Sequence, residues 1–176
     1  MADGHKWMLG PEGLALFYTR SSIRDQLQLH QYGWHMLEDT GDFDQVDWQP
    51  AGSGRRFECG TPNMLGIHGL EASLALIEEA GIQNIEQDIF VNTRYVMELI
   101  DKNAKRLELI SSPDDSRLSG IVSFRVKGRV QEEVYRQLMK RGVICACRGN
   151  GIRFSPHFYT PRKKIERAFE VLGEII

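Results

Sequence analysis

Polar and apolar residues near the start of the chain predict one strand followed by a long loop. The apolar run at residues 14–19 comes directly after Gly-Pro-x-Gly and predicts a short buried strand. Residues 38–54 are acidic and rich in Gly and Pro, with aspartates placed among Phe43, Val46 and Trp48. This stretch predicts a long loop, and loops of such length are usually functional or mobile.

Helical spacing of apolar residues dominates the stretch that follows. Residues 63–79 come after Gly-Thr-Pro and predict a helix that ends at Gly81. A second helix is predicted over residues 84–102, with an apolar stripe that is interrupted at Asn92 and Thr93. This part of the chain therefore offers helices and one strand but no sheet of its own.

In the last part of the chain, short predicted strands alternate with helices, which indicates a compact α+β unit. A helix is predicted at residues 130–140, and another begins at Pro161, which suits the first turn of a helix. The predicted strands are residues 107–110, 120–126, 143–147 and 152–155, the last two joined by Arg148-Gly149-Asn150-Gly151. The Asn-Gly pair in that turn is a strong hairpin signal, so we expect a mostly antiparallel sheet.

Composition and charge exclude several classes of function. The chain has 176 residues, of which 41% are hydrophobic and 26% charged, so a packed core is expected rather than disorder. The formal net charge of −2 gives no basic face for nucleic acid. No apolar run approaches the roughly 18 residues of a membrane span, and the start lacks the apolar core of a secretory signal, so neither a membrane nor export is expected.

Cysteine and histidine usage gives no metal or disulfide framework. Cys59, Cys145 and Cys147 are an odd count and predict reduced thiols in a cytoplasmic protein. The histidines at positions 30, 35, 68 and 157 lack metal-ligand spacing and are interpreted as structural, so no metal is expected.

Three short stretches carry the candidate chemistry. His5 and Lys6 precede Gly10-Pro11-Glu12-Gly13; a lysine there is either a solvated turn residue or, in a dry pocket, a neutral nucleophile able to form an imine. Thr61 lies in Arg-Phe-Glu-Cys-Gly-Thr-Pro-Asn at a predicted helix start, where free N–H groups attract anions. Arg153 lies in Ile-Arg-Phe-Ser-Pro-His-Phe-Tyr-Thr, and its guanidinium either forms a surface ion pair or binds a carboxylate through two hydrogen bonds.

These stretches, in this order, resemble the class V aminotransferase family of pyridoxal-phosphate (PLP) enzymes, which includes cysteine desulfurases, kynureninase and isopenicillin N epimerase-like proteins. The resemblance implies that Lys6 is the catalytic lysine, which forms the Schiff base with PLP. It implies that His5 binds the cofactor phosphate, and that Thr61 reaches the phosphate bound in the neighbouring subunit. Arg153 is implied to pair with the α-carboxylate of an amino-acid substrate. One departure is that the Asn expected before Thr160 is absent, because Tyr159 directly precedes it.

The resemblance covers essentially the whole chain but only the carboxyl-terminal half of the family architecture. It implies an α/β fold of the fold-type I PLP transferases, with residues 1–103 forming the end of the PLP-binding large domain. Residues 104–176 are then the small α+β domain. The absent earlier half holds, in the family, the group that stacks on the cofactor ring and the aspartate that pairs with the pyridine nitrogen.

Two classes of function remain open at this point. In the first, the chain is a fragment or subunit of a PLP-dependent transferase or epimerase-like enzyme, weak or inactive alone, which forms a homodimer or joins a complementary amino-terminal half. In the second, it is a non-catalytic remnant that acts by association. A desulfurase is disfavoured, because only a tight hairpin separates Cys147 from Arg153 and leaves no loop for a persulfide-forming cysteine.

Overall fold

The computed structural model describes residues 1–44 and 46–176, so that residue 45 of the predicted loop lies outside the described part. The chain divides into two compact units, Met1–Glu79 and Ala80–Ile176. Each unit is described by itself.

The first unit has little regular structure before its long helix. Strands β1 (Ala2–Asp3) and β2 (Ala15–Leu16) form a two-stranded antiparallel sheet. The other elements of the unit are the short helix α1 (Ser21–Arg24), the 3₁₀ turns Trp34–Met36 and Gly54–Phe57, and α2 (Met64–Ala80). The helix predicted at residues 63–79 is confirmed.

The buried strand predicted at residues 14–19 is wrong in length and in burial. Only Ala15 and Leu16 are in a strand, and both are exposed. Their partner strand also has only two residues, and a sheet of two such short strands buries little apolar surface. The loop predicted at residues 38–54 is confirmed for its described residues before the 3₁₀ turn at Gly54, and a bridge joins its Pro50 to Leu37.

The second unit is a four-stranded sheet with helices, as the sequence predicts. Its elements are α3 (Ile82–Lys102), β3 (Leu107–Leu109), the 3₁₀ turn Asp115–Arg117, β4 (Val122–Val126), α4 (Gln131–Lys140), β5 (Ala146–Arg148), β6 (Gly151–Phe154) and α5 (Arg162–Ile175). The strand order is β3-β4-β6-β5, and every neighbouring pair is antiparallel. The α+β unit with an antiparallel sheet is therefore confirmed.

One face of this sheet holds the core of the second unit. Alternate residues of β4 are buried, which is the pattern of a strand with one covered face. Helices α3, α4 and α5 supply the other side of the core. The buried residues of the cluster are Val96, Ile100, Leu107, Val122, Phe124, Val126, Val134, Leu138, Ile152, Phe154, Ile165, Val171, Leu172 and Ile175.

The hairpin between β5 and β6 is placed correctly by the sequence, but its turn residues differ from the expected pair. Arg148 pairs with Gly151, so the two-residue loop is Gly149-Asn150. Both loop residues have positive φ, 58° and 56°, which fits a type I′ turn. Gly151 is instead a strand residue, where an added Cβ would lie 2.7 Å from the carbonyl oxygen of Phe124.

Asn92 and Thr93, which interrupt the apolar stripe of α3, are buried and hold two loops. The Asn92 amide donates to the carbonyl oxygens of His157 and Thr160, at 3.1 Å each. The Thr93 hydroxyl donates to the carbonyl oxygen of Ser119 at 2.8 Å. The interruption in the hydrophobic pattern is therefore explained by two buried polar side chains that donate to loop carbonyl groups.

Helix α3 belongs to the compact second unit, because Val96 and Ile100 are part of its core. The division at residues 79 and 80 thus differs from the division at residues 103 and 104 implied by the family resemblance. The assignment of residues 1–103 to a large domain concerns a longer protein and stays a prediction.

Candidate functional site

The lysine of the first motif lies in a tight turn between β1 and β2. The amide of Gly10 donates to the carbonyl oxygen of Gly4 at 2.8 Å, and the amide of Leu9 donates to that of Lys6 at 3.2 Å. Gly4 is in turn bound to Leu14 by a backbone hydrogen bond of 3.0 Å. The glycine-rich sequence therefore closes a loop that presents His5 and Lys6 at its tip.

Helix α2 packs against this loop and fixes it. The Ser73 hydroxyl donates to the carbonyl oxygen of Leu9 at 3.0 Å. A Cβ added at Gly10 would lie 2.8 Å from a methyl carbon of Leu70, and one added at Gly69 would lie 3.1 Å from Pro11. The small residues of both segments let the loop and the helix approach closely.

Asn63 connects the first two motifs, and sequence reasoning missed it. Its side-chain oxygen accepts from the amide of Gly66 at 3.0 Å, which caps the start of α2. Its side-chain nitrogen donates to the carbonyl oxygen of Gly13 at 3.4 Å, at the end of the lysine loop. An asparagine before a predicted helix is a capping signal, but its second bond needs the tertiary structure.

His5 and Lys6 are both exposed to solvent. The Lys6 side chain is 67% exposed and forms an ion pair with Asp3, three residues earlier. The hydrogen bond and charge of Lys6 lower the pKa of the Asp3 carboxyl, with a smaller contribution from His5. The tip of this turn therefore faces solvent, and the turn does not enclose Lys6 in a dry pocket.

Thr61 lies in a different part of the first unit, on the wall of a large groove. The groove has a volume of about 1010 Å³ and lies between β2, the segment before α2 and one face of α2. Thr61 is exposed and comes just before the first turn of α2. His5 and Lys6 are not among the residues that line the groove. Lys6 therefore does not share the groove that Thr61 lines.

Arg153 lies in the middle of β6, in the second unit. It pairs with Ser123 of β4 and Ala146 of β5, while its neighbours Ile152 and Phe154 are buried in the core. Because side chains alternate along a strand, Arg153 projects from the sheet face opposite the core. Among the described residues, its buried Nε atom has no hydrogen-bond partner. An unpaired buried guanidinium nitrogen is costly, and a bound anion would remove that cost.

The two cysteines near Arg153 are not placed or tuned as nucleophiles. Cys147 lies in β5 opposite Ile152, and only Arg148 separates it from the two-residue turn of the hairpin. Burial, followed by the hydrogen bond and charge of Glu132, raises the pKa of the Cys147 thiol. Burial raises the pKa of Cys145 to about 11. Both shifts disfavour the thiolate form, and the tight hairpin expected from the sequence is confirmed.

Within residues 1–44 and 46–176, no group of three or more His, Cys, Asp or Glu side chains is placed to hold a metal ion. Within the same residues, every helix is too short or too polar to cross a membrane.

Comparisons with known proteins agree on one family. Residues 1–167 match the family model described as aminotransferase class-V. The uncharacterized aminotransferase YcbU of Bacillus subtilis is 27% identical over 98% of this chain and 44% of its own length. A probable cysteine desulfurase of Pyrococcus abyssi is 26% identical over 99% of this chain and 45% of its own length.

Solved structures show the same fold. The apo cysteine desulfurase of Thermococcus onnurineus superposes with a TM-score of 0.84 at 24% identity, covering 99% of this chain and 46% of that one. The cystine C-S lyase C-DES, solved with its product cysteine persulfide, superposes with the same TM-score at 20% identity, covering 97% of this chain and 45% of its own.

The chain thus spans slightly less than half the length of the relatives it matches. The fold is that of PLP-dependent fold-type I enzymes, and PLP is the cofactor of the matched family. The match extends over nearly all of the sequence and includes all three motifs. The chain belongs to the class V aminotransferase family.

Proposed function

We propose that this chain is the carboxyl-terminal part of a PLP-dependent enzyme that acts on an amino acid, with aminotransferase- or epimerase-like chemistry. The observation that carries the proposal is the buried, unpaired Nε of Arg153 on the sheet face opposite the core. A guanidinium in that state has a donor ready for a carboxylate, which is a group that every amino acid carries.

We assign residues of the first unit to the amine-linked and phosphate ends of PLP. Lys6 offers an exposed primary amine at the tip of a loop that α2 holds in place, and its ion pair with Asp3 would have to open. His5 is adjacent and exposed, and we assign it to the phosphate. Thr61 stands exposed at the start of α2, where the helix dipole favours an anion, and we assign it to the phosphate of a neighbouring subunit.

In the proposed reaction, the chain's own residues bind and orient the substrate and move a proton. Bound PLP would supply the electron sink that stabilises negative charge at the α-carbon of the amino acid. Arg153 fixes the substrate carboxylate by two parallel hydrogen bonds, which sets the orientation of the α-carbon. The Lys6 amine, once free, is the group assigned to accept and return the α-proton.

Sulfur transfer is the less favoured reaction. A desulfurase-like mechanism needs a mobile thiolate, whereas Cys147 is fixed in β5 and its pKa is raised by burial and by Glu132. Several relatives carry desulfurase names, so membership in the family does not by itself separate the two reactions. The fixed cysteine is the feature of this chain that favours the aminotransferase or epimerase type.

The lysine assignment is tested by reductive trapping. The purified chain is treated with PLP and borohydride, and peptide mapping locates the modified lysine. We expect modification at Lys6 in clear excess over Lys163, an exposed lysine of the second unit that serves as the internal control. Lys6→Ala should remove the dominant product, and Lys163→Ala should leave it. Equal labelling of both lysines in the parent chain would contradict the assignment.

The carboxylate assignment needs a separate measurement. We expect the ¹⁵N–¹H resonance of Arg153 Nε to shift on titration with a simple amino acid or with propionate, because this donor has no protein partner. Arg125 also has a buried Nε without a hydrogen bond, but it lies 3.6 Å from Glu108 and serves as the control. A shift that is confined to Arg125, or is absent from both, would contradict the role of Arg153.

The whole enzyme is proposed to need a partner, either a second copy in a homodimer or a complementary amino-terminal half, in the cytoplasm. The chain alone should show little or no amino-acid turnover, since the ring-binding groups of the family lie in the half that this chain does not match. Measurable turnover of an amino acid by the 176-residue protein would contradict that expectation.

A second candidate function is association without catalysis, which the outer face of α2 favours. Leu65 is 86% exposed and Leu76 is 51% exposed, and both lie on the same long helix. We expect self-association in sedimentation at micromolar concentration, and we expect Leu65→Lys with Leu76→Lys to reduce it. A monomer throughout that range would count against association of the chain with itself.

A further inference from the structure

The second unit contains a cleft that none of the candidate site residues lines. It has a volume of about 360 Å³ and lies among the end of α4, the segment leading to β5, the end of β6 and one face of α5. Its walls are mostly apolar, formed by Val96, Val143, Phe154, Ile165, Ala168 and Val171. The volume lies at the lower end of the range of small-molecule sites, about 300–1,000 Å³.

Three cationic side chains also line the cleft, and they differ in their partners. Arg141 forms an ion pair with Glu174 at 2.5 Å. Arg167 lies 3.0 Å from Glu170 and 3.8 Å from the second oxygen of Glu174. Lys164 is exposed and, among the described residues, has no acidic group within ion-pair distance. The glutamates thus offset two of the three positive charges, and one positive charge is left at the cleft.

We propose that this cleft binds a small amphipathic carboxylate, with its apolar body against the cleft walls and its single negative charge at Lys164. The apolar walls favour a hydrocarbon or aromatic body over a free inorganic anion. The single unpaired ammonium favours a monoanion over a dianion, which would have to compete with Glu170 and Glu174 for the arginines. The proposal rests on the second unit alone and does not depend on the PLP chemistry.

The experiment uses three probes that separate the charged head from the apolar body. Octanoate carries both, octanol carries the body alone, and acetate carries the head alone. Each is titrated into the ¹⁵N-labelled chain, and amide shifts locate the site. We expect saturable binding of octanoate with the shifts at residues 142–144, 154–156 and 164–171, about threefold to fivefold weaker binding of octanol, and no saturable binding of acetate at the cleft.

Matched variants test each part of the site. Lys164→Gln should raise the Kd of octanoate about threefold to fivefold and leave the Kd of octanol unchanged, because it removes only the charge. Lys163→Gln is the control, since this exposed neighbour does not line the cleft. Ala168→Leu fills the cleft and should weaken both octanoate and octanol. Circular dichroism checks that each variant is folded.

Several outcomes would overturn the proposal. Octanoate that does not saturate, or that shifts residues outside the cleft, shows that the cleft is not a binding site. An octanoate Kd that Lys164→Gln leaves unchanged, or that Lys163→Gln raises equally, shows that Lys164 does not bind the head group. Because Lys164 is exposed, its variant keeps the test decisive even if Ala168→Leu fails to fold.

Discussion

Replacing Asn92 with Leu removes two hydrogen bonds from the loop that follows Arg153. The Asn92 amide donates to the carbonyl oxygens of His157 and Thr160, at 3.1 Å each. A buried acceptor left without a donor costs about 1–3 kcal/mol. Both loop residues are only half-buried, so water reaches them in part and the lower figure applies to each. We therefore expect a loss of about 2 kcal/mol in the free energy of unfolding, which is roughly 30-fold in the folding equilibrium.

The assay is urea unfolding followed by far-ultraviolet circular dichroism, with Asn103→Leu as the control. Asn103 also donates to a backbone carbonyl, that of Leu99 at 2.8 Å, but it lies exposed at the end of the same helix. Water replaces that bond, so the control should lose less than about 0.5 kcal/mol. Hydrogen exchange of the peptide covering residues 155–161 should accelerate in Asn92→Leu only. Equal losses in both variants, with no change in exchange, would refute the reasoning.

Three further predictions concern glycines and a thiol. Gly151→Ala should lower the free energy of unfolding by about 1–3 kcal/mol, because its Cβ would meet the carbonyl oxygen of Phe124 at 2.7 Å; urea titration measures this. Gly173→Ala, in an open position of α5, should instead raise it by about 0.5–1 kcal/mol in the same titration. Cys145 should react with iodoacetamide at pH 8.5 far more slowly in the native chain than in urea, because burial raises its pKa from 9.0 to about 11; equal rates would contradict this.

The same shift gives a pH dependence with a definite sign. Between pH 9 and about pH 11 the unfolded Cys145 thiol has lost its proton while the folded one keeps it. The folded state therefore binds more protons in this window, and stability falls as the pH rises through it. The pH-dependent decrease in urea midpoint should be smaller in Cys145→Ala, and an unchanged decrease would show that other groups cause it.

The helices and strands of the second unit were predictable because the spacing of apolar residues in each segment matches the repeat of the helix or strand that it forms. The alternation in β4 and the stripe of α3 gave correct elements, since one face of each is buried. The run at residues 14–19 failed because apolar composition alone does not supply a neighbouring strand or a covering layer. The turn between β5 and β6 was located correctly, but the strand register decided which two residues form it.

The sequence proposes the candidate site as a set of residues, and it does not give their arrangement. The motifs around Lys6, Thr61 and Arg153 are local in sequence, so they can be read one by one. The links that hold them are distant in sequence: Ser73 with Leu9, Asn63 with Gly13, and Asn92 with the loop after Arg153. Polar residues such as these have no periodic signal, so their partners could not be predicted.

The sequence by itself determined the family of this protein, the order of its motifs and most of its helices and strands. Only the tertiary structure decided that Lys6 is solvent-exposed and paired with Asp3. For residues 1–44 and 46–176, it also decided that the Nε of Arg153 has no hydrogen-bond partner and that Lys164 lines the cleft without an ion pair. The physical reason is that secondary structure follows from the repeat of apolar positions along a short segment. Burial, charge pairing and hydrogen-bond satisfaction instead depend on which distant segments the fold brings into contact.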